Sequence, residues 1–171
     1  MKKIFLILVL LCAQSWALSL GDVPKDVTIE GDNGGLVAGG AWNSSMLQGG
    51  KVHVIFYVDP DEKDVNEDFA DALKSAKFDH DKFQTIAIVN MAATWKPNMI
   101  IAAILKSKQK KFPEALYVKD KKKILVKMWD LQDDNSDILV FDKSGKLLYT
   151  KAGKLDKTEI QKVITLIKEH L

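Results

Sequence analysis

The chain has 171 residues, 47% hydrophobic, 28% charged and 8% aromatic, which excludes wholesale disorder, a collagen-like repeat and a coiled-coil rod. Its 25 basic residues are all lysine and, against 23 acids, leave a formal net charge of +2. A near-neutral chain without arginine lacks the guanidinium forks and basic footprint of nucleic-acid binders, so no nucleic-acid partner is expected.

Residues 1 to 17 read as a signal peptide. Lys2 and Lys3 form a positive start, Ile4 to Ala13 is an unbroken apolar run, and Ser15-Trp16-Ala17 places small residues where signal peptidase requires them. Cleavage is expected between Ala17 and Leu18, leaving residues 18–171 as one domain. The apolar run is shorter than the roughly 20 residues of a membrane span, so no stable membrane insertion is expected once the leader is gone. The same cut removes Cys12, the single cysteine. The mature chain then has no disulfide and no thiol chemistry.

Seven of the ten glycines lie between residues 31 and 50. Asp32-Asn33-Gly34-Gly35 reads as a tight turn joining Val27-Thr28-Ile29 to Leu36-Val37-Ala38, an N-terminal β-hairpin. Val52 to Val58 is a near-continuous apolar run, as for a central strand covered on both faces. Asp64-Val65-Asn66-Glu67 has the spacing of a capping box, ahead of a helix with Phe69 and Leu73 on its apolar stripe. Phe83 to Met91 is a second buried strand. A helix follows Pro97, with Met99, Ile100, Ala103 and Ile104 expected inward and lysines at its end.

Leu116 to Lys119, Ile124 to Trp129 and Asp137 to Asp142 are expected as short strands, and Lys143-Ser144-Gly145 as the turn into Leu147-Leu148-Tyr149. Asp156-Lys157-Thr158-Glu159 is a second capping box. It opens a helix with Ile160, Val163, Ile164 and Ile167 on one face. The order is a βαβ half followed by an antiparallel half: a mixed sheet with helices on both faces.

That order, with the Val140-Phe141-Asp142-Lys143-Ser144-Gly145 hairpin and a final helix, resembles the thioredoxin-like and peroxiredoxin-like fold. Gly50-Lys51-Val52, Ser75 to Thr85, Ile88-Val89-Asn90 and Met128-Trp129-Asp130-Leu131 are similar to the YtfJ family of small exported bacterial proteins. The resemblance spans residues 20 to 171 and implies a periplasmic location. It supplies no reaction, and the transcriptional-regulator label borne by some members does not suit an exported neutral chain.

In redox-active relatives of this fold a Cys-x-x-Cys follows the first core strand. Here Val58-Asp59-Pro60-Asp61-Glu62-Lys63 stands in that place, and the position of the family's cis-proline falls near Ser136. A carboxylate cannot attack a disulfide as a thiolate does. The fold resemblance implies that the two loops meet, gathering Asp59, Asp61, Glu62, Asp133, Asp134 and Asp137 beside Ser136. Such a cluster would suit a hard cation or a basic peptide, although acids also favour helix starts and solvated turns. Neither loop matches a calcium-loop pattern.

His53, His80 and His170 lack metal-ligand spacing, and Ser44-Ser45 lacks a nucleophile elbow. Residues 106 to 127 hold nine lysines and two acids, while 59 to 71 hold seven acids and one lysine. The expectation is an exported, non-redox binding or accessory module without a cofactor. Its partner is an unidentified periplasmic protein or small ligand. A metal-dependent enzyme using the acidic cleft, or a thiol-independent helper in periplasmic redox or folding chemistry, stays open as the alternative.

Overall fold

A computed structural model describes residues 18–171; the leader and its cleavage site at Ala17 lie outside or at the border of the described residues. Eight strands and four α-helices follow in the order β1 (Thr28–Ile29), β2 (Gly34–Leu36), β3 (Trp42–Asn43), β4 (Val52–Val58), α1 (Glu67–Ala76), β5 (Phe83–Asn90), α2 (Asn98–Lys111), β6 (Leu116–Asp120), α3 (Ile124–Trp129), β7 (Ser136–Phe141), β8 (Leu147–Ala152) and α4 (Lys157–His170). Six strands make one sheet in the order β2-β6-β5-β4-β7-β8. The β4–β5 and β5–β6 pairs are parallel, and the β4–β7, β7–β8 and β2–β6 pairs antiparallel.

Alternation along the strands divides the core by face. One face carries Ile55, Tyr57, Ile86, Ile88, Val118, Leu139 and Phe141, packed with Trp42, Leu47, Leu125 and Trp129 from the N-terminal segment and α3. The other face carries two separate clusters. Val52, Val54, Ile138 and Val140 pack under α1 and α4, while Met91, Tyr117, Ile101 and Leu105 pack under α2.

Four expectations are corrected. The turn at Gly31–Asn33 forms, but its flanking strands do not pair with each other. Thr28 and Ile29 pair with Asn43 and Trp42, whereas Gly34 to Leu36 cross to the sheet edge beside Asp120 to Val118. Glycine is what permits that crossing: Gly34 has φ +131°, and a Cβ there would sit 1.7 Å from the Lys119 carbonyl oxygen.

Asp64 does not cap α1. The chain from Asp59 to Glu67 winds through successive turns, and Asn66 takes the N-cap position without capping. Its side chain instead donates to Ser136 Oγ (3.0 Å) and to the Gly153 carbonyl (3.1 Å), and accepts from the Leu155 N–H (2.9 Å). The start of α1 is thereby tied to β7, β8 and the approach to α4.

Ile124 to Trp129 is a helix, not a strand. The Leu125 N–H donates to buried Asp120 Oδ2 at 3.2 Å, and Leu125 and Trp129, four residues apart, are the two side chains buried. An alternating strand would have buried Ile124, Val126 and Met128 instead.

The inward face of α2 is the one opposite to that expected. Ile101 and Leu105 are buried, while Met99 is 81%, Ile100 53% and Ile104 51% exposed. The first half of this helix is apolar on all sides, so periodicity does not identify the side that meets the sheet. At α4 the expected capping box forms in full: Asp156 and Glu159 exchange hydrogen bonds of 2.8 Å, and Ile160, Val163, Ile164 and Ile167 are buried.

Candidate functional site

The two loops predicted to meet do so. The Asp59 N–H donates to the Asn135 carbonyl at 3.0 Å, and the Asn135 N–H donates to Asp59 Oδ2 at 2.7 Å. This two-way latch joins the end of β4 to the residue before β7. By the fold resemblance, this is the place where a redox-active relative would carry its first cysteine.

The six carboxylates do not form one cluster. Asp59 and Asp137 are buried, whereas Asp61, Asp133 and Asp134 are exposed and Glu62 half-buried. Asp61 pairs with Lys96, whose ammonium holds its carboxyl below the usual range. Asp133 pairs with Lys123, with the same effect. Among the described residues no three His, Cys, Asp or Glu side chains come together in a way that could hold a metal ion. The cation site imagined for this cleft therefore has no donor set to support it. Ser136 is buried and serves as a hydrogen-bond acceptor for Asn66.

What the structure assembles instead is a buried polar network beneath α3 and the loop after it. Tyr57 Oη donates to Asp120 Oδ2 at 3.1 Å, and Asp120 Oδ1 accepts from the Lys122 N–H at 3.1 Å. Asn90 is the register partner of Asp120 and donates to Asp133 Oδ1 at 3.0 Å. The Gln132 N–H donates to Asp137 Oδ2 at 3.1 Å. Tyr57, Asn90 and Asp120 escaped the sequence reading. Their one signal is a polar residue inside or at the end of an apolar strand run.

This network has more acceptors than donors. Asp59 Oδ1 and Asn90 Oδ1 are both buried without a hydrogen-bonding protein donor. Taking a carboxylate out of water favours its neutral form. Burial pushes Asp59 up to about 6 against the opposing pull of the Asn135 N–H. It pushes Asp137 up to about 7, with the nearby Asp59 charge adding to the rise. A proton on either group adds the donor that the network lacks. Elsewhere, burial lowers His53 to about 4, so this buried strand histidine is neutral at pH 7.

On the opposite face, α1 and α2 stand apart over β4 and β5 and leave an open cleft of about 640 Å³. Phe56, Val58, Thr85 and Tyr117 floor it, and Phe78 and Phe112 close its sides. Lys74, Lys77 and Lys108 lie at its rim with Glu67 and Asp71. An apolar floor within a charged rim is the usual make-up of a ligand or peptide site.

The sequence profile of a family described as "Bacterial protein of unknown function (YtfJ_HI0045)" matches residues 28–170. The uncharacterized protein YtfJ of Escherichia coli K12 is 33% identical over 133 residues, covering 76% of this chain and 72% of that protein. An uncharacterized protein of Haemophilus influenzae Rd is 31% identical over 129 residues, covering 74% and 70%. Among solved structures, the exposed lipoprotein thioredoxin Etrx1 of Streptococcus pneumoniae superposes with a TM-score of 0.58 at 17% identity, over 83% of this chain and 99% of that one. The thioredoxin domain of a thiol-disulfide oxidoreductase from Bacteroides vulgatus gives 0.60 at 15% identity, over 91% and 100%. At such identities the likeness establishes the fold, which is thioredoxin-like, and nothing of the activity.

Proposed function

This chain belongs to the YtfJ family of bacterial proteins, and from that premise we propose that it is an exported, periplasmic binding module that uses a thioredoxin-like scaffold without thiol chemistry. The observation that carries this reading is the Asp59–Asn135 latch. The position where a dithiol would begin holds a buried carboxylate, fixed by two hydrogen bonds to the neighbouring loop. A redox site needs an accessible thiolate. Here the side chain is 1% exposed and the one cysteine of the chain is Cys12.

Binding is the activity that remains natural to this shape. The latched loops hold β4 and β7 rigid at one end, while the cleft between α1 and α2 offers an aromatic floor large enough for a small molecule or an extended side-chain-rich segment. Export rests on the leader of residues 1–17 with cleavage before Leu18. It accords with the described residues, among which no helix is long and apolar enough to cross a membrane.

The test combines mass, fractionation and turnover on protein made from the full chain. The expected product starts at Leu18, is released with the periplasm, and neither reduces insulin nor consumes peroxide above a protein-free control. Turnover in either assay, free of contaminating thiol enzymes, would overturn the thiol-independent reading. A membrane-bound product that still carries Met1 to Ala17 would overturn export as a released protein.

A further inference from the structure

The outward side of α2 is the most apolar exposed surface among the described residues. Met99, Ile100 and Ile104 project from it, Ala103 is exposed between them, and Trp95 just before the helix is 87% exposed. Isolated exposed apolar residues are ordinary, but a contiguous group on one helix marks an interaction surface.

The charges around this stripe are polarised along it. Helices α1 and α2 both begin at the carboxyl ends of parallel strands, so they run in the same direction on the same face of the sheet. Helix α1 opens with Glu67, Asp68 and Asp71 and finishes with Lys74 and Lys77. Helix α2 contains no acid, and Lys106, Lys108, Lys110 and Lys111 crowd its last turns. Asp61 is tethered to Lys96 beside the start of α2, with Glu62 next to it. The whole face is therefore acidic at one end and basic at the other, with the apolar stripe between.

We propose that the outward face of α2 is a homodimer interface, in which the α2 helices of two copies pack antiparallel about a two-fold axis near Ala103. The observation behind it is the head-to-tail polarity. A two-fold interface is isologous and must be self-complementary. Antiparallel packing brings the lysine end of each copy over the Asp61, Glu62 and Glu67 end of the other. Ile100, Ala103 and Ile104 meet their counterparts at the centre. Small Ala103 allows the axes to approach to about 8–10 Å. Helix α2, about 21 Å long at 1.5 Å per residue, is long enough for Lys110 to reach the partner copy's Trp95, where an ammonium over the indole face adds attraction, while Lys111 lies over its own Phe112 ring, 5.3 Å from the centroid.

A stable interface buries roughly 800 Å² per partner, and Trp95, Met99, Ile100 and Ile104 supply an apolar centre to which the lysine stems add. An anionic membrane fits less well, because it would meet the acidic end of the face as well as the basic end. The apolar centre on α2 lies apart from the cleft, while the acidic end shares Asp61 and Glu62 with the loop after β4 and Glu67 with the cleft's rim; the test reads association, so its failure and the failure of the binding reading are distinguishable.

Sedimentation velocity on the exported protein across a concentration series tests it, alongside flotation with phosphatidylglycerol vesicles. The expected result is a monomer–dimer equilibrium that Ile100→Asp weakens by about 100-fold, since the change falls twice at the centre of one interface. The charge reversal Lys110→Glu with Lys111→Glu should weaken it about tenfold, and adding Glu62→Lys with Glu67→Lys should restore it. Thermal melts of each variant separate loss of association from loss of fold, since every substituted side chain is at least partly exposed. Ala103→Cys supplies a second route: oxidation should yield a disulfide-linked dimer with unchanged melting behaviour. A chain that stays monomeric at millimolar concentration overturns the proposal. So does a dimer indifferent to Ile100→Asp, or Ile100-dependent vesicle binding by a monomer.

Discussion

The two faces of the central sheet are built on different plans. Under α3 and the N-terminal segment, Trp42, Trp129 and Phe141 interlock, with ring centroids 6.1 Å apart in each Trp129 contact, and one continuous core fills the space. Under α1, α2 and α4 the core is two clusters, with an open cleft between helices and an apolar helix side left bare. The first face also contains the buried carboxylates. The first face is closed and the second is open. The difference places the exposed apolar surface on the helices, away from the latched end of β4, and that is where the proposed association would occur.

The comparison breaks most readily at the tryptophans. Trp129 is 1% exposed and its Nε1–H donates to the Lys25 carbonyl at 2.9 Å, so Trp129→Ala should cost about 3–5 kcal/mol through lost burial and an unfilled cavity. Trp95→Ala, on the bare helix side, should change monomer stability by less than about 0.5 kcal/mol. Denaturant titrations at a dilution that keeps the protein monomeric compare them directly. Equal costs would erase the distinction between the faces.

The pH profile sharpens it next. Asp59 and Asp137 have folded-state values raised to about 6 and about 7, above their ordinary 3.8. The folded chain therefore holds protons on these two groups that the unfolded chain has released, which lowers stability as pH rises from about 4 through about 7, while His53, lowered to about 4, opposes part of that fall up to its ordinary value of 6.5. The two acids outweigh the histidine, and the net loss across that window is on the order of 4 kcal/mol. Asp137→Asn should flatten the slope, because the amide keeps the acceptor for Gln132 and carries no charge. An Asp137→Asn profile with the same slope as the unsubstituted protein would contradict the buried-acid account.

The smallest effect concerns the helix starts. Asp156 completes a capping box on α4, so Asp156→Ala should cost about 1 kcal/mol. Asp64 has the same sequence spacing but leaves the start of α1 uncapped, so Asp64→Ala should change thermal stability by less than half as much. Asn66→Ala should be the costly change there, because it removes three hydrogen bonds across to Ser136, Gly153 and Leu155.

The two capping motifs also show how far the chain's local chemistry reaches. At Asp156 and Glu159 the partners lie within one turn, and nothing else competes for them. At Asp64 the same spacing loses to the contacts that Asn66 makes with residues 70 or more positions away. Ile124 to Trp129 illustrates the same limit: five apolar residues and Lys127 suit strand or helix alike, and Asp120 on the neighbouring strand decides for helix. In α2, apolar on both sides, only the position of Met91 and Tyr117 determines that Ile101 and Leu105 turn inward.

The site was legible in outline through its loops and obscure in its content. Asp59, Ser136 and Asp137 lie at the meeting of the two loops, as the fold resemblance implied, while Asp61 and Asp133 are drawn off by Lys96 and Lys123. Tyr57, Asn90 and Asp120 went unnoticed, because one polar residue in a strand does not reveal whether it faces helix, water or another polar group.

By itself the sequence determined the strand and helix order from Val52 onward except at Ile124 to Trp129, the mixed sheet, the cap of α4 and the absence of a thiol beyond residue 12, since each depends on residue type or on neighbours a few positions apart. Tertiary structure alone decided which side of α2 is bare, which carboxylates are buried, and that no three of them converge. Those outcomes turn on burial and on partners distant in the chain, and a carboxylate beside a lysine or beneath a helix has the same letter in the sequence.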